Sequence, residues 1–279
     1  LVVMALFFLP RYLKSGIATV PQFLEERYGS GVRALTTGVF IVAYMLILLP
    51  FVLYSAAAAL SSMLDLPSAL GISRTATIWV IVAFVAIVGS AYAIFGGLRA
   101  VAISDTFNGI GLLIGGSLIT FFALKVAGGG ELSLGEVFAK VSESNPDAFK
   151  SVGSAGEDIH GWGPLFTGVL LLNFFYWCTN QQIIQRTFGA KNLAEGQKGV
   201  LLAAFFKILA PLILVLPGIL ALYIANSDEA FNATLLGDDG ERDSSLVYGS
   251  LVRFVLPASL TGFFAAVVVG SILSTYNSV

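Results

Sequence analysis

Two groups of residues combine side-chain type and spacing in ways suited to holding a small solute or an ion. Asn173, Tyr176 and Trp177 stand at i, i+3 and i+4, so on a helix an amide and two aromatic rings share one face. An amide both donates and accepts hydrogen bonds, and a ring packs on the C–H side of a sugar while its hydroxyls find polar partners. The same spacing fits an interfacial aromatic belt with an incidental Asn, although these rings fall mid-segment. Ser271, Ser274 and Thr275 repeat the i, i+3, i+4 pattern. Their hydroxyl oxygens suit a hard cation such as sodium, and a carbonyl freed from a helix would add a ligand without adding charge. Against this, Gly270, Ser274 and Ser278 also form a small-xxx-small stripe that lets helices approach, as Gly111 and Gly115 do.

Ionisable groups inside apolar segments are costly and therefore mark function by default. Lys207 lies well inside such a segment, with snorkelling to the interface as the alternative. Asp105 sits at the expected start of another, where it fits both an N-cap and a polar group on an ion's way out. Lys125, at a segment end, reads as a snorkelling side chain, and spacing alone does not decide the roles of Tyr44 and Tyr54.

The elements that must position these groups are membrane helices. Of 279 residues 57% are hydrophobic and 11% charged, whereas soluble domains carry about 25% charged residues. Apolar stretches of span length are Ala34 to Met63, Ile78 to Phe95, Phe107 to Ala127, Pro164 to about Gln185, Leu201 to Ala225 and Phe254 to about Ser278, with a half-length stretch from Leu1 to Tyr12. The stretch from Pro164 is interrupted by Cys178-Thr179-Asn180-Gln181-Gln182, the pattern of a broken helix lining a site. The fold class is thus all-α and polytopic, read as one transmembrane domain over residues 1–279.

Loop charges orient the spans. Arg11, Lys14, Arg27, Arg33, Arg99, Arg186, Lys191 and Lys198 fall in one set of short connections, which predicts a cytoplasmic side. Arg74, Lys140, Lys150, Arg242 and Arg253 are diluted in the alternate loops among most of the acids, including Asp238-Asp239-Gly240-Glu241, and these loops are predicted to be external. In the external stretch Asn226 to Arg253, Leu246, Val247, Leu251 and Val252 fit one apolar helical face, so a docked helix and a plain loop are both open. The net charge of −2 offers no field for nucleic acid, and one cysteine, Cys178, with one histidine, His160, assembles neither a disulfide nor a Cys/His zinc site. Both ends read as cut within or beside membrane helices, as in a fragment.

Longer stretches resemble the sodium/solute symporter family, and within it the sodium/glucose and sodium/galactose cotransporters. Thr19-Val20-Pro21-Gln22-Phe23-Leu24-Glu25-Glu26-Arg27-Tyr28 is similar to that family's loop after the second core helix. Gly96-Gly97-Leu98-Arg99-Ala100-Val101 with Asp105 resembles the loop into the fifth. Tyr176-Trp177-Cys178-Thr179-Asn180-Gln181 through Gln185-Arg186, then Gly189-Ala190-Lys191-Asn192-Leu193 and Gly196-Gln197-Lys198-Gly199, resembles the sixth helix and its following loop.

The resemblance implies part of a LeuT-type inverted-repeat core, from the end of the second core helix through the eighth. It implies sugar contacts at Asn173, Tyr176 and Lys207, and aromatic gate positions at Tyr44 and Tyr176 with the adjacent Trp177. A sodium site falls on Ser271, Ser274 and Thr275, with Thr in place of the commoner second Ser, and an ion exit group on Asp105. The expected function is sodium-driven symport of a monosaccharide or polyol by alternating access within a bilayer, with sodium as coupling ion, no organic cofactor and no covalent catalysis. The alternatives are a symporter for an amino acid or carboxylate, which would give Lys207 a charge partner, and a symporter-like sensor module of a larger signalling protein.

Overall fold

The computed structural model describes residues 1–131, 133–152, 161–237 and 240–278, with the side chains of Ala93, Leu98 and Arg99 outside the description. His160, Asp238 and Asp239 therefore lie outside the described residues. The described chain is helical: α1 (Leu9–Ser15), α2 (Val20–Tyr28), α3 (Ser30–Leu64), α4 (Arg74–Gly97), α5 (Ala100–Ala127), α6 (Leu134–Ser144), α7 (Leu170–Cys178), α8 (Gln181–Phe188), α9 (Leu193–Ser227), α10 (Ser244–Val255) and α11 (Ala258–Tyr276). Among the described residues α3, α4, α5, α9 and α11 are each long and apolar enough to cross a membrane.

Local chemistry explains the ends and irregularities of these helices. Thr19, Ser73, Ser133 and Asn180 accept backbone N–H groups at the first turns of α2, α4, α6 and α8, satisfying donors that the helix leaves open. The break between α4 and α5 falls at Gly97, whose φ of 63° is a backbone region open to glycine. Because α5 begins at Ala100, Asp105 lies inside the helix and is not its N-cap. Two π-turns, Met4–Phe8 and Tyr44–Leu48, lie just before Pro10 and Pro50. A proline ring clashes with the carbonyl four residues back, and a widened turn relieves that clash.

The expected last span from Phe254 divides at Leu256–Pro257. Pro257 forces Leu256 into extended backbone (ψ 141°), so Phe254 and Val255 end α10 and α11 starts at Ala258. The expected span from Pro164 also divides, into a helical run ending at Cys178 and α8 beginning at Gln181, with Thr179 (φ −132°, ψ −10°) outside helical geometry.

The chain packs as two compact units, Leu1–Tyr44 with Phe149–Leu209, and Met45–Ala148 with Ala210–Val279. In the first unit Met4, Leu9, Tyr12, Ile17, Val20, Cys178, Ile184 and Val200 form a core, against which Phe23, Trp177 and Phe188 pack. Tyr12 meets Phe23 and Phe188 edge-on, with centroids 5.0 and 5.7 Å away.

In the second unit the close-packing surface of α5 is glycine. A Cβ at Gly111 would stand 2.7 Å from Val267 Cγ2, and one at Gly115 would collide with the Phe264 ring, so α5 and α11 approach as only small residues allow. α10 is a docked helix, with Leu246, Gly249, Leu251, Val252 and Val255 buried. Gly249 sits directly on the α3 backbone, 2.6 Å from the Ala59 carbonyl at the Cβ position. Its ends are tied by ion pairs, Arg74 to Asp243 at 2.7 Å and Arg253 to Asp65 at 2.9 Å. The Tyr248 hydroxyl donates to the Ile213 carbonyl at 3.4 Å. That carbonyl lies four residues before Pro217, which has no N–H to give it.

Candidate functional site

In the first unit the site is built around the break between α7 and α8. A continuous helix would bond the Gln182 N–H to the Cys178 carbonyl. Instead the Gln182 N–H donates to Asn180 Oδ1 at 3.0 Å, and the Cys178 carbonyl accepts the Tyr12 hydroxyl at 2.8 Å. Asn180 is buried and its Oδ1 also accepts the Tyr44 hydroxyl at 2.7 Å. Gln181 Oε1 accepts the Val20 N–H at 2.8 Å, satisfying a donor in the first turn of α2. The break is thus held by the Tyr12 side chain of α1, a backbone N–H of α2 and the Tyr44 side chain of α3. An apolar medium demands this, since unsatisfied backbone groups there cost several kcal/mol (~4 or more) each.

The turn before this break carries the predicted solute residues. Asn173, Trp177, Cys178 and Lys207 line a cavity of about 450 Å³, together with Leu1, Val2, Val3, Leu170, Phe174, Ala204 and Ile208. The Lys207 ammonium lies over the Trp177 ring, 4.2 Å from its centroid, a cation–π contact. Asn173 Nδ2 donates to the Val169 carbonyl at 2.8 Å. Tyr176 is not among the residues lining the cavity. It packs edge-on against Trp177, centroids 5.0 Å apart, one residue along the helix surface. Tyr44 stacks in parallel on Phe40 at 5.6 Å while its hydroxyl bonds Asn180.

In the second unit the predicted ion residues lie on facing helices. The Ser274 hydroxyl on α11 donates to Oδ1 of Asp105 on α5. Ser271 and Thr275 turn their hydroxyls back onto the Val267 and Ser271 carbonyls, both at 2.9 Å. The small-residue stripe and the hydroxyl face coincide, because a Cβ at Gly270 would collide with the Asn108 amide of α5. Tyr54 lines a separate apolar cavity between α3 and α4, about 740 Å³, with Arg74 and Thr75 among its lining residues.

Sequence reasoning missed Tyr12 as a site residue and did not single out Asn180 for a role. Asn180 carries a local signal, an Asn placed to cap a helix inside an apolar run. Tyr12 carries none, since its partner is 166 residues away.

A polar break inside an apolar helical chain is thus flanked by an Asn–Trp–Lys cavity. The sequence model of the sodium:solute symporter family matches residues 1–279. The chain belongs to the sodium:solute symporter family. Over 99% of its length it is 44% identical to an uncharacterised symporter, YidK, of Escherichia coli K12, covering 46% of that protein. Over its whole length it is 32% identical to a sodium/glucose cotransporter of Vibrio parahaemolyticus, covering 51% of it. Identity to the human sodium/myo-inositol cotransporter 2 is 28% over 99% of the chain and 42% of that protein. The chain spans about half the length of the curated relatives it matches. Members of the sodium:solute symporter family are multi-pass membrane proteins, and with five apolar helices among its described residues this chain is an integral membrane protein.

Proposed function

We propose that the protein containing this chain carries a monosaccharide or polyol across the cell membrane, driven by sodium, through alternating access of a LeuT-type core in which residues 1–279 form one transporter domain. The observation that carries the reading is the cavity where Asn173, Trp177 and Lys207 meet beside a broken helix. Such breaks near the middle of a span are where transporters expose backbone and side-chain dipoles to a substrate. Asn173 and Lys207 supply hydrogen bonds to hydroxyls, Trp177 supplies an apolar face, and Tyr176, Trp177 and Tyr44 serve as the gate. The relatives named for glucose and myo-inositol transport support a polyhydroxylated solute.

Sodium would be taken up by the hydroxyls of Ser271, Ser274 and Thr275, hard oxygen donors that add no charge. The bond from Ser274 to Asp105 supports a route in which the carboxylate receives the ion as it leaves. Coupling requires that ion and solute each favour one conformation, since a ligand with equal affinity for both shifts nothing. Inward movement of the ion also draws about 2.3 kcal/mol per charge from each 100 mV of membrane potential.

A carboxylate or amino-acid solute is the second reading, favoured by Lys207, whose ammonium meets no carboxylate among the residues lining the cavity. The test is uptake by the full-length protein in proteoliposomes under an inward sodium gradient, with potassium as control. Sodium-dependent uptake of glucose, galactose or myo-inositol that falls in Asn173→Ala and Lys207→Ala is the expected result. Uptake of an amino acid alone overturns the sugar assignment, and unchanged uptake in both variants overturns the site.

A further inference from the structure

The backbone between Cys178 and Gln182 has two ways to satisfy its polar groups. In a continuous helix the Gln182 N–H would close on the Cys178 carbonyl. In the bent form seen here the Gln182 N–H is taken by Asn180 Oδ1, and the Cys178 carbonyl is taken by the Tyr12 hydroxyl. Tyr12 thus stabilises the bent form, by supplying a donor to the carbonyl that the break leaves without its helical N–H. It is also the more deeply placed of the two tyrosines at the break, 2% exposed, with its ring fixed among Phe8, Phe23 and Phe188. A hydroxyl on a ring held in this way has little freedom to lose on bonding.

We propose that Tyr12 is a positioning residue of the transport site: its hydroxyl satisfies the Cys178 carbonyl that the bend deprives of its helical N–H, stabilises the bent break, and so fixes the Asn173–Trp177 face relative to Lys207. The effect runs through Cys178 and not through contact with solute, since Tyr12 is outside the cavity lining while Cys178 is part of it. This extends the symporter reading above by adding a residue to its site, and it rests on that reading only for its consequence in transport.

The experiment uses Tyr12→Phe in the full-length protein, because Phe keeps every ring contact and removes only the hydroxyl. The first readout is alkylation of Cys178 by a small maleimide, followed at the peptide level. The thiol is buried but lines the cavity, so its reactivity reports how often the break opens. Loss of the bond is expected to speed alkylation about tenfold, the factor that corresponds to about 1.4 kcal/mol. The second readout is sodium-driven uptake, where the solute KM is expected to rise about tenfold on the same scale while kcat changes little. A residue needed only for packing would leave both unmoved in Tyr12→Phe and lose function only in Tyr12→Leu. Unchanged alkylation overturns the brace, and faster alkylation with an unchanged KM overturns its role in positioning the site. If the unmutated protein takes up no solute tested, the symporter reading fails while the alkylation rates still decide whether Tyr12 holds the break.

Discussion

Ser274 donates its hydroxyl to the carboxylate of Asp105, joining α11 to α5 between two residues that are 169 positions apart. Each had been singled out separately, one as a cation ligand and the other as an exit group. Their bond makes them neighbours between α11 and α5, as the proposed ion route requires. In Asp105→Ala, Ser274 loses this acceptor. A hydrogen bond to a charged group is worth about 1.5–3 kcal/mol, so the half-saturating sodium concentration for uptake should rise about tenfold or more. Asp105→Asn, which keeps an acceptor oxygen, should fall between. Sodium titration of uptake at saturating solute gives the measurement, and equal sodium dependence in all three proteins would sink the assignment.

The Lys207 ammonium rests on the Trp177 ring. Trp177→Leu removes the ring face beneath an exposed ammonium, at a cost of about 0.5–1 kcal/mol. The solute KM is then expected to rise, on the order of twofold to fivefold by the same conversion. Trp177→Phe, which keeps a π face, should recover part of the loss. If Trp177→Leu binds solute as the parent does, the contact is incidental.

Close approach of α5 and α11 depends on glycine. Gly115→Ala places a methyl group in the Phe264 ring, and overpacking of this kind costs about 1–3 kcal/mol. Gly109, on the same helix, has open space at its Cβ position, and Gly109→Ala is expected to be neutral or stabilising by up to about 1 kcal/mol. Thermal unfolding in detergent should therefore lower the midpoint for Gly115→Ala alone. Equal midpoints would show that the two helices move apart without cost.

Docking of α10 is predicted to be pH-dependent. The Asp243 carboxyl is held below its ordinary value by its hydrogen bond with Ser245, with Arg74 adding to the effect. Because the folded value is the lower one, this contribution is fully present above the ordinary carboxylate range near 3.9 and is lost as pH falls through the depressed folded value. Hydrogen exchange of α10 amides should be slow at pH 7 and should rise below about pH 4 beyond the intrinsic rate. In Asp243→Asn the protection at pH 7 should already be reduced, and the acid-dependent increment should shrink. A variant with the parent's full pH response would place the titrating group elsewhere.

Much of this architecture is legible from neighbours in sequence. The apolar runs that become α3, α4, α5, α9 and α11 announce themselves by length, although α5 and α9 begin well before the expected Phe107 and Leu201, at Ala100 and Leu193. The break after Cys178 is visible as a polar run where a span should continue, and Gly96-Gly97 mark the break before α5. Asn173 and Trp177 are placed on one face by helical spacing alone, and both line the cavity. Tyr176 shares the spacing and not the cavity, because one residue along a helix turns a side chain about 100°.

What the sequence by itself determined is therefore local: which segments are helical and apolar, where the backbone must interrupt them, and which polar groups sit inside them. These follow from hydrophobic burial, proline's missing N–H and glycine's backbone freedom, all read within a few residues. Only the tertiary structure decided that Tyr12 takes the Cys178 carbonyl, that Ser274 meets Asp105, and that the stretch after Asp243 docks as a helix with Tyr248 reaching the Ile213 carbonyl. Each of these pairs a donor with an acceptor from a distant part of the chain. No local periodicity records such a choice, because it is made by the geometry of packing.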